Sequence, residues 1–195
     1  MRIPKAAYTA LPWRIHEITP DFAIEDVWRI RTPGAGPNDF PEAVAAMRSG
    51  GGFANHPWPV RFLFAVRWRL GALLGWDAPS QGAGVRLPSL RNRLPDDLRD
   101  APRGPDSPGM PLTAVYELDT ESARELVNKT VHTVMHLGWA EGPGGGHELR
   151  MTVLVKPNGL FGRLYMAAIA PFRYLIVYPA LIGRWERSWR VRRKA

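Results

Sequence analysis

Two histidines have a spacing that occurs in metal sites. His132 and His136 form an H-x3-H pattern within VHTVMHLGW. On a helix these side chains would lie one turn apart and could share a zinc ion. The alternation of the surrounding residues predicts a strand instead, and four residues of strand span roughly 13 Å, which is too far for one ion. We therefore interpret both as solvent-facing histidines of a sheet, and we predict no metal and no cofactor.

The other polar groups give no recognised catalytic pattern. The acid pairs Asp96–Asp97 and Asp119/Glu121 have no base beside them, and solvated loops explain both. The glycine-rich piece Gly142–Gly146 lacks the lysine and the strand-to-helix context of a phosphate-binding loop. The serines show no nucleophile-elbow spacing, and the absence of cysteine excludes disulfides and thiolate chemistry. The sequence therefore nominates no catalytic residue.

Arg173 is of interest because it is the single charge within the apolar stretch Leu164–Gly183. A buried arginine must be paired, or must face a polar ligand or water. Two interpretations are open. The guanidinium could pair with an acid of the fold such as Glu117 or Glu148, or it could anchor the polar head of an otherwise apolar ligand.

The apolar stretch is part of a long helix predicted over Gly159–Trp189. Pro171 removes a backbone donor, so we expect a kink near it. About 20 apolar residues could span the roughly 30 Å of a bilayer core. The charge of Arg173 at mid-span, and the need to cover the adjacent sheet, favour a helix packed across that sheet. A peripheral helix and a true membrane span remain the alternatives.

Period-two alternation predicts the clearest strands. Val131–Trp139 and His147–Val155 form a hairpin with one buried face and one wet face. Asp21–Arg31 predicts a first strand, with imperfect alternation that suggests a bulge. A further strand begins at Leu112, and we interpret Glu121–Val127 as a helix or turn.

Shorter elements are predicted upstream. Glu42–Arg48 predicts a short helix, and Leu94–Leu98 a helical turn. Val60–Trp76 has apolar residues at three- and four-residue steps, which indicates a core-facing amphipathic helix, with a membrane-surface helix as the alternative. The proline-rich stretch Ala101–Pro111 predicts a surface loop that is mobile or acts as a lid.

Length and charge suggest one basic domain. The 195 residues divide into a lead-in over 1–20, a domain over 21–183 and a tail over 184–195, and the net charge is +8. Such a charge attracts an anionic membrane more plausibly here than nucleic acid. The tail residues that could contact that surface are Arg184, Trp185, Arg187, Trp189 and Arg190, although the helical spacing of the two tryptophans favours packing within the fold. The first residues lack the apolar core of a signal peptide, so we expect a cytoplasmic protein, with attachment to the membrane periphery as the alternative.

Several segments together resemble a known family. They are PWRIHEITPDF, DVWRIRTPGAGPNDFPEAVAAM, VRFLFAVRWRLGALLGWD, LRNRLPDDLRD, VNKTVHTVMHLGW and MTVLVKPNGLFGRLYMAAIAPFRYLIVYPAL. The chain resembles an uncharacterised bacterial domain-of-unknown-function family that is grouped with the START-like, polyketide-cyclase-like (SRPBCC) superfamily. The resemblance implies a helix-grip fold, in which a curved antiparallel sheet wraps around a long C-terminal helix and encloses a cavity for hydrophobic molecules. It carries over no catalytic residue.

The fold class expected is therefore α+β, and the first functional hypothesis is a non-catalytic protein that binds a small hydrophobic or lipid-like ligand between sheet and helix. The cavity residues predicted are Tyr116, Met135, Leu137, Trp139, Met151, Val153, Tyr165, Ile169, Phe172 and Arg173. One alternative is a membrane-surface or partner-binding protein that uses the basic tail. Another is a cyclase- or hydrolase-like enzyme in which Arg173, Tyr165 or His132 supplies polarity.

Overall fold

The computed structural model describes residues 1–49, 65, 69, 88–105, 112–128 and 131–194, except for the side chains of Phe161 and Tyr165. The helix predicted over Val60–Trp76 lies outside the described residues apart from two single positions, and so does the second half of the loop Ala101–Pro111. Within the described residues, helices and irregular segments cover one antiparallel sheet. The α+β prediction is thus confirmed at the level of a sheet with a long C-terminal helix.

Six antiparallel strands of the described residues form this sheet in the order β1-β2-β6-β5-β4-β3. They are β1 (Arg2–Ile3), β2 (Ala23–Ile30), β3 (Thr113–Glu117), β4 (Glu121–Val127), β5 (Val131–Glu141) and β6 (His147–Pro157). The long β5–β6 hairpin, which alternation predicted, lies at the centre of the sheet, and its register runs without a break from Val131 opposite Pro157 to Glu141 opposite His147.

The helices described are short except at the C-terminus. They are α1 (Ala6–Thr9), α2 (Ile15–Ile18), α3 (Phe40–Ser49), a 3-10 turn (Leu90–Arg93), α4 (Asp96–Arg99), α5 (Gly159–Phe172) and α6 (Tyr178–Arg192). The π-helical turn Arg173–Val177 joins α5 to α6, so the C-terminal helix is one rod. The helices predicted over Glu42–Arg48 and near Leu94–Leu98 correspond to α3 and to the 3-10 turn with α4.

One face of the sheet packs against α3 and α6 and forms the larger core. The strands contribute Trp28, Ile30, Met135, Leu137, Trp139, Leu149, Met151, Val153 and Val155. The helices contribute Phe40, Val44, Met166, Tyr178, Ile182, Trp185 and Trp189. Burial of one such side chain stabilises the fold by about 1.5–3 kcal/mol. Packing of this layer, more than helix propensity, therefore holds α6 on the sheet.

The opposite face is also buried, so the prediction of a wet face was wrong. Residues from 1–22 and 88–101 cross it and form a second core. The buried members include Tyr8, Trp13, Ile15, Ile18, Leu90, Leu94, Tyr116 and Val134. Polar residues at alternate positions of β5 usually indicate exposure, but here His132 and His136 are buried and hydrogen-bonded to carboxylates.

Glu121–Val127 is strand β4, which corrects the prediction of a helix or turn. Glu121 lies opposite Gly138 of β5, and Glu125 lies opposite Val134. Carboxylates are uncommon at buried positions, so these two residues obscured the strand pattern. The strand accommodates them because hydrogen bonds within the second core satisfy both.

Two irregularities occur where β2 meets the C-terminal helix. The register of β2 shifts between Ile24 and Asp26, as the imperfect alternation of this segment suggested. The helix leaves α geometry over Arg173–Val177, beginning two residues after Pro171. Proline removes a backbone donor, which explains a local departure at this point. Bulges and π-helical turns occur often at functional sites, so the point where the two meet is a candidate functional site.

Candidate functional site

An ion pair joins the bulge of β2 to the π-helical turn. Arg173 Nη2 donates a hydrogen bond of 2.9 Å to Asp26 Oδ2, and Arg173 Nε donates one of 3.1 Å to the hydroxyl of Tyr178. The other oxygen of Asp26 accepts a bond of 2.9 Å from the indole N–H of Trp28. The Arg173 side chain is 11% exposed and the Asp26 side chain is fully buried. The carboxylate and the guanidinium therefore satisfy each other within the larger core.

This pair settles how Arg173 is partnered in the fold. The acids suggested from the sequence were wrong: Glu117 pairs with Arg48, and Glu148 lies 3.4 Å from Arg29. The sequence did hold a signal for the true partner, because Asp26 interrupts an otherwise strand-like run, FAIEDVWRI.

The electrostatics of the pair favour a structural anchor over acid–base chemistry. Burial raises the pKa of Asp26, while the charge and hydrogen bond of Arg173 act in the opposite direction. An arginine does not exchange its proton at ordinary pH. Burial also raises the pKa of the Tyr178 hydroxyl well above its usual range. Arg173 and Tyr178 are thus unsuited to proton transfer near neutral pH, and a polar ligand head could exchange with one of the hydrogen bonds.

The residues predicted to line a cavity fall into three groups. Met135, Leu137, Trp139, Met151 and Val153 are buried on the helix-covered face, and half-buried Ile169 packs against them. Phe172 is 48% exposed and points away from this core. Tyr116 belongs to the second core on the opposite face, where its hydroxyl donates to Glu121. The side chain of Tyr165 is outside the described part of the structure. A ligand role for this set stays a prediction.

The outer side of α5, continued into the π-helical turn by Leu175, is apolar and exposed. Leu160, Leu164, Phe172 and Leu175 are 64%, 61%, 48% and 76% exposed. Their steps of four, eight and three residues place them on one side of the helix. Among the described residues, one helix, Gly162–Arg192, is long and apolar enough to cross a membrane, with a mean hydropathy of 1.5 over an 18-residue window. Of that window, 17% is buried.

Two buried histidine–glutamate pairs lie on the opposite face of the sheet. His136 Nε2 is 2.9 Å from Glu121 Oε2, and His132 Nε2 is 2.8 Å from Glu125 Oε2. Glu121 also accepts a bond of 2.7 Å from the backbone N–H of Arg14, and Glu125 accepts one of 2.9 Å from that of Leu90. The sequence-based prediction that these histidines face solvent was therefore wrong.

These pairs attach the covering segments to the sheet. Burial raises the pKa of Glu121, but the hydrogen bond from His136 and the other donors outweigh it and hold the pKa below its ordinary value. Burial lowers the pKa of His136. An ionised carboxylate next to a neutral imidazole resembles a catalytic dyad in chemistry, but here the carboxylate is saturated by structural donors. In the described residues no group of three His, Cys, Asp or Glu side chains could hold a metal ion.

The two tryptophans of the basic tail belong to the larger core. Trp185 and Trp189 are 6% and 1% exposed, and Trp189 Nε1 donates to the carbonyl of Pro33. Two tail arginines form ion pairs with the rest of the domain: Arg192 lies 3.4 Å from Glu42, and Arg193 lies 3.8 Å from Asp39. The two indoles named as possible surface contacts are therefore enclosed.

Comparison with protein families gives one result. The family model described as "Protein of unknown function (DUF2867)" matches residues 18–180. The chain belongs to this family. The match covers strands β2 to β6, the Asp26–Arg173 pair and the first three residues of α6. A search of curated proteins finds no match for this DUF2867 chain, and a search of solved structures finds none.

Proposed function

We propose that this protein binds lipid at an anionic membrane surface through the outer side of α5. The observation that carries the proposal is the exposed apolar row of Leu160, Leu164, Phe172 and Leu175. Soluble proteins seldom leave a contiguous apolar surface of this kind uncovered unless it binds something. A helix with such a face can lie in the plane of a bilayer and bury it among lipid headgroups and acyl chains.

Charge favours a lipid surface as the occupant. No acidic residue occurs between Pro157 and Trp185, and the net charge of the chain is +8. Arg163 is exposed within the apolar row, where its long side chain can reach lipid phosphates. Basic residues beside an apolar helix face add about 1 kcal/mol each to binding of an anionic leaflet.

The Asp26–Arg173 pair favours a peripheral position over a membrane span. It fixes the middle of the C-terminal rod to β2, and Met166 and Tyr178 pack on the same side. A span would have to break this pair and uncover the larger core. The protein would therefore meet the bilayer with one side of α5 while α6 stays on the sheet.

A START-like helix-grip arrangement belongs to the same proposal. The antiparallel sheet with a long helix across one face supports it. A second candidate function is binding of an amphiphile between sheet and helix. The polar cluster of Arg173, Asp26 and Tyr178 within an apolar core favours this candidate, because a few polar groups in an apolar site are the usual way to orient such a ligand. Native mass spectrometry of protein purified without detergent would test it, since a filled site gives a reproducible small-molecule adduct.

The membrane proposal is tested by co-sedimentation with vesicles. We expect the protein to sediment with vesicles of phosphatidylcholine and phosphatidylglycerol, and less with phosphatidylcholine alone. Leu175→Glu should lower the partition coefficient by about tenfold, because a leucine contributes about 1.5–3 kcal/mol when its surface leaves water.

Val191→Glu is the matched control. Val191 is 70% exposed on the same rod, against 76% for Leu175, and the change in charge is identical. Binding that is equal for wild type, Leu175→Glu and Val191→Glu would contradict the proposal, as would wild-type protein that stays in the supernatant.

A further inference from the structure

A second surface feature lies near the C-terminal end of α6. A cleft of about 330 Å³ opens between residues 31–34, the β5–β6 turn and α6. Arg31, Arg190, His147 and Glu148 line it together with glycines of the two loops. We propose that this cleft binds a phosphate group carried by a small molecule, a site that is independent of the α5 surface.

The charges around the cleft are unequal. Arg31 and Arg190 both bond to Glu186, whose side chain is 8% exposed. Glu148 in turn lies 3.4 Å from Arg29 and 3.5 Å from Arg150. Arg31 and Arg190 line the cleft, whereas Arg29 and Arg150 lie outside its lining and compensate the charge of Glu148. The excess of positive charge favours an anionic ligand.

The guanidinium groups keep hydrogen-bonding capacity for such a ligand. Arg31 uses Nε and Nη2 for Glu186, at 3.2 Å and 3.0 Å, so the bonds to Glu186 do not require its Nη1. Arg190 reaches the same carboxylate at 3.5 Å, which is the outer limit of a hydrogen bond. Their side chains are 69% and 53% exposed. One planar guanidinium group can donate two parallel hydrogen bonds to two oxygens of a phosphate. Two guanidinium groups at one cleft therefore suit a phosphate ligand.

Glycines and an ordered imidazole complete the cleft. Gly34, Gly142 and Gly146 line it without side chains, which allows a ligand close to the backbone. Gly34 has a φ of 76°, a conformation that other residues rarely adopt. The ring of His147 stacks on Trp139 at 6.0 Å, and Thr32 donates to the His147 carbonyl at 2.7 Å. The walls are thus held in place by the core rather than by the ligand.

The test is a titration of the full chain with inorganic phosphate at constant ionic strength, followed by amide NMR. We expect saturable shifts at Gly34, Gly142 and Gly146. Arg190→Gln should raise the Kd for phosphate about tenfold, the effect of losing one hydrogen bond to a charged group. Arg190→Gln leaves the Arg31–Glu186 pair in place, so the fold is retained.

Arg187→Gln is the control, because Arg187 is an exposed arginine of the same helix that does not line the cleft. Equal weakening in Arg187→Gln and Arg190→Gln, or shifts that never saturate, would overturn the proposal in favour of diffuse charge attraction. The phosphate proposal would also be overturned if Arg190→Gln lowered vesicle binding but left the phosphate titration unchanged. The cleft would then bind a lipid headgroup. Loss of vesicle binding in Leu175→Glu alone would bear only on the α5 proposal.

Discussion

Asp26 and Arg173 each carry a charge that an apolar core does not tolerate alone. Removal of one partner from a buried pair leaves the other charge uncompensated, which costs about 3–5 kcal/mol. We therefore expect Arg173→Met to lower the free energy of unfolding by about that amount, and Asp26→Asn by less, because Glu25 Oε1 still lies 3.7 Å from Arg173 Nη2. Urea unfolding measures the change.

The double variant Asp26→Asn/Arg173→Met distinguishes an anchor from a ligand site. If the pair is an anchor, the double variant should lose clearly less free energy of unfolding than the two single variants lose together, because neither member of the pair is left without its partner. Single variants that are as stable as wild type would show that the pair is not needed for the fold, and would direct attention to the amphiphile-binding candidate.

His136 should make the stability depend on pH in the mildly acidic range. Burial lowers its pKa in the folded state from the ordinary value of 6.5. The unfolded chain then binds a proton at a higher pH than the folded chain, so stability falls as the pH drops below 6.5. The lowered pKa of Glu121 acts in the same direction, but only below its ordinary value of 4.5.

We expect the melting temperature of the wild type to fall between about pH 7.5 and about pH 5.5. In His136→Gln, which keeps a donor but cannot titrate, the fall should be smaller. His147→Gln, at a histidine outside both buried pairs, is the control. If the melting temperatures of His136→Gln and wild type fell in parallel with pH, His136 would not be the source of the pH dependence.

At the residue scale the sequence predicted more about Arg173 than about its partners. A lone charge in an apolar helix must be compensated, and that argument needs no structure. Imperfect alternation suggested the bulge in β2, but no local pattern shows that this bulge meets the π-helical turn and so pairs Asp26 with Arg173. The burial of His132 and His136 was missed for a similar reason, since their carboxylate partners lie on a strand that the sequence did not predict.

At the scale of elements, the two halves of the C-terminal rod have different roles. Trp189 on α6 is 1% exposed and Leu175 beside α5 is 76% exposed. Trp189→Ala should cost about 3–5 kcal/mol, the usual loss for a buried tryptophan. Leu175→Ala should change the free energy of unfolding by less than about 0.5 kcal/mol. Thermal or urea unfolding of both variants is the measurement, and a large loss in Leu175→Ala would mean that the outer side of α5 is covered in the folded chain.

The elements that the sequence predicted well have strong periodicity. The β5–β6 hairpin and the long helix follow from alternation and continuous apolarity. Strand β4 was not predicted, because its carboxylates break the alternation that is typical of a buried strand. The coverage of the second face by the lead-in and by residues near Leu90 depends on contacts between segments far apart in sequence, so local patterns could not predict it.

At the scale of the whole molecule, the charge of +8 should act on the rate and strength of membrane binding. We expect the fraction bound to anionic vesicles to fall as salt rises from about 0.05 M to about 0.5 M, because added ions screen the attraction. Part of the binding should persist, since the leucines of α5 contribute an apolar term that salt does not screen. Complete loss in high salt would mean that charge alone attracts the protein, and binding indifferent to salt would remove the electrostatic part of the proposal.

Whole-molecule properties were predicted unevenly. Charge and α+β class follow from composition and element order. The helical spacing of Trp185 and Trp189 favoured packing in the fold, but the sequence did not show which face of the molecule covers them.

The sheet ends in two short strands, and this bears on how copies of the chain can associate. In the part of the chain that is described, β1 has two residues and β3 has five, with a bulge between Ala114 and Tyr116. Short and bulged edges offer few unpaired backbone groups to a strand from another molecule. If this protein aggregates on concentration or heating, we therefore expect the first contacts to form between the leucines of α5 and not by extension of the sheet, so that detergent below its micelle concentration should keep it monomeric.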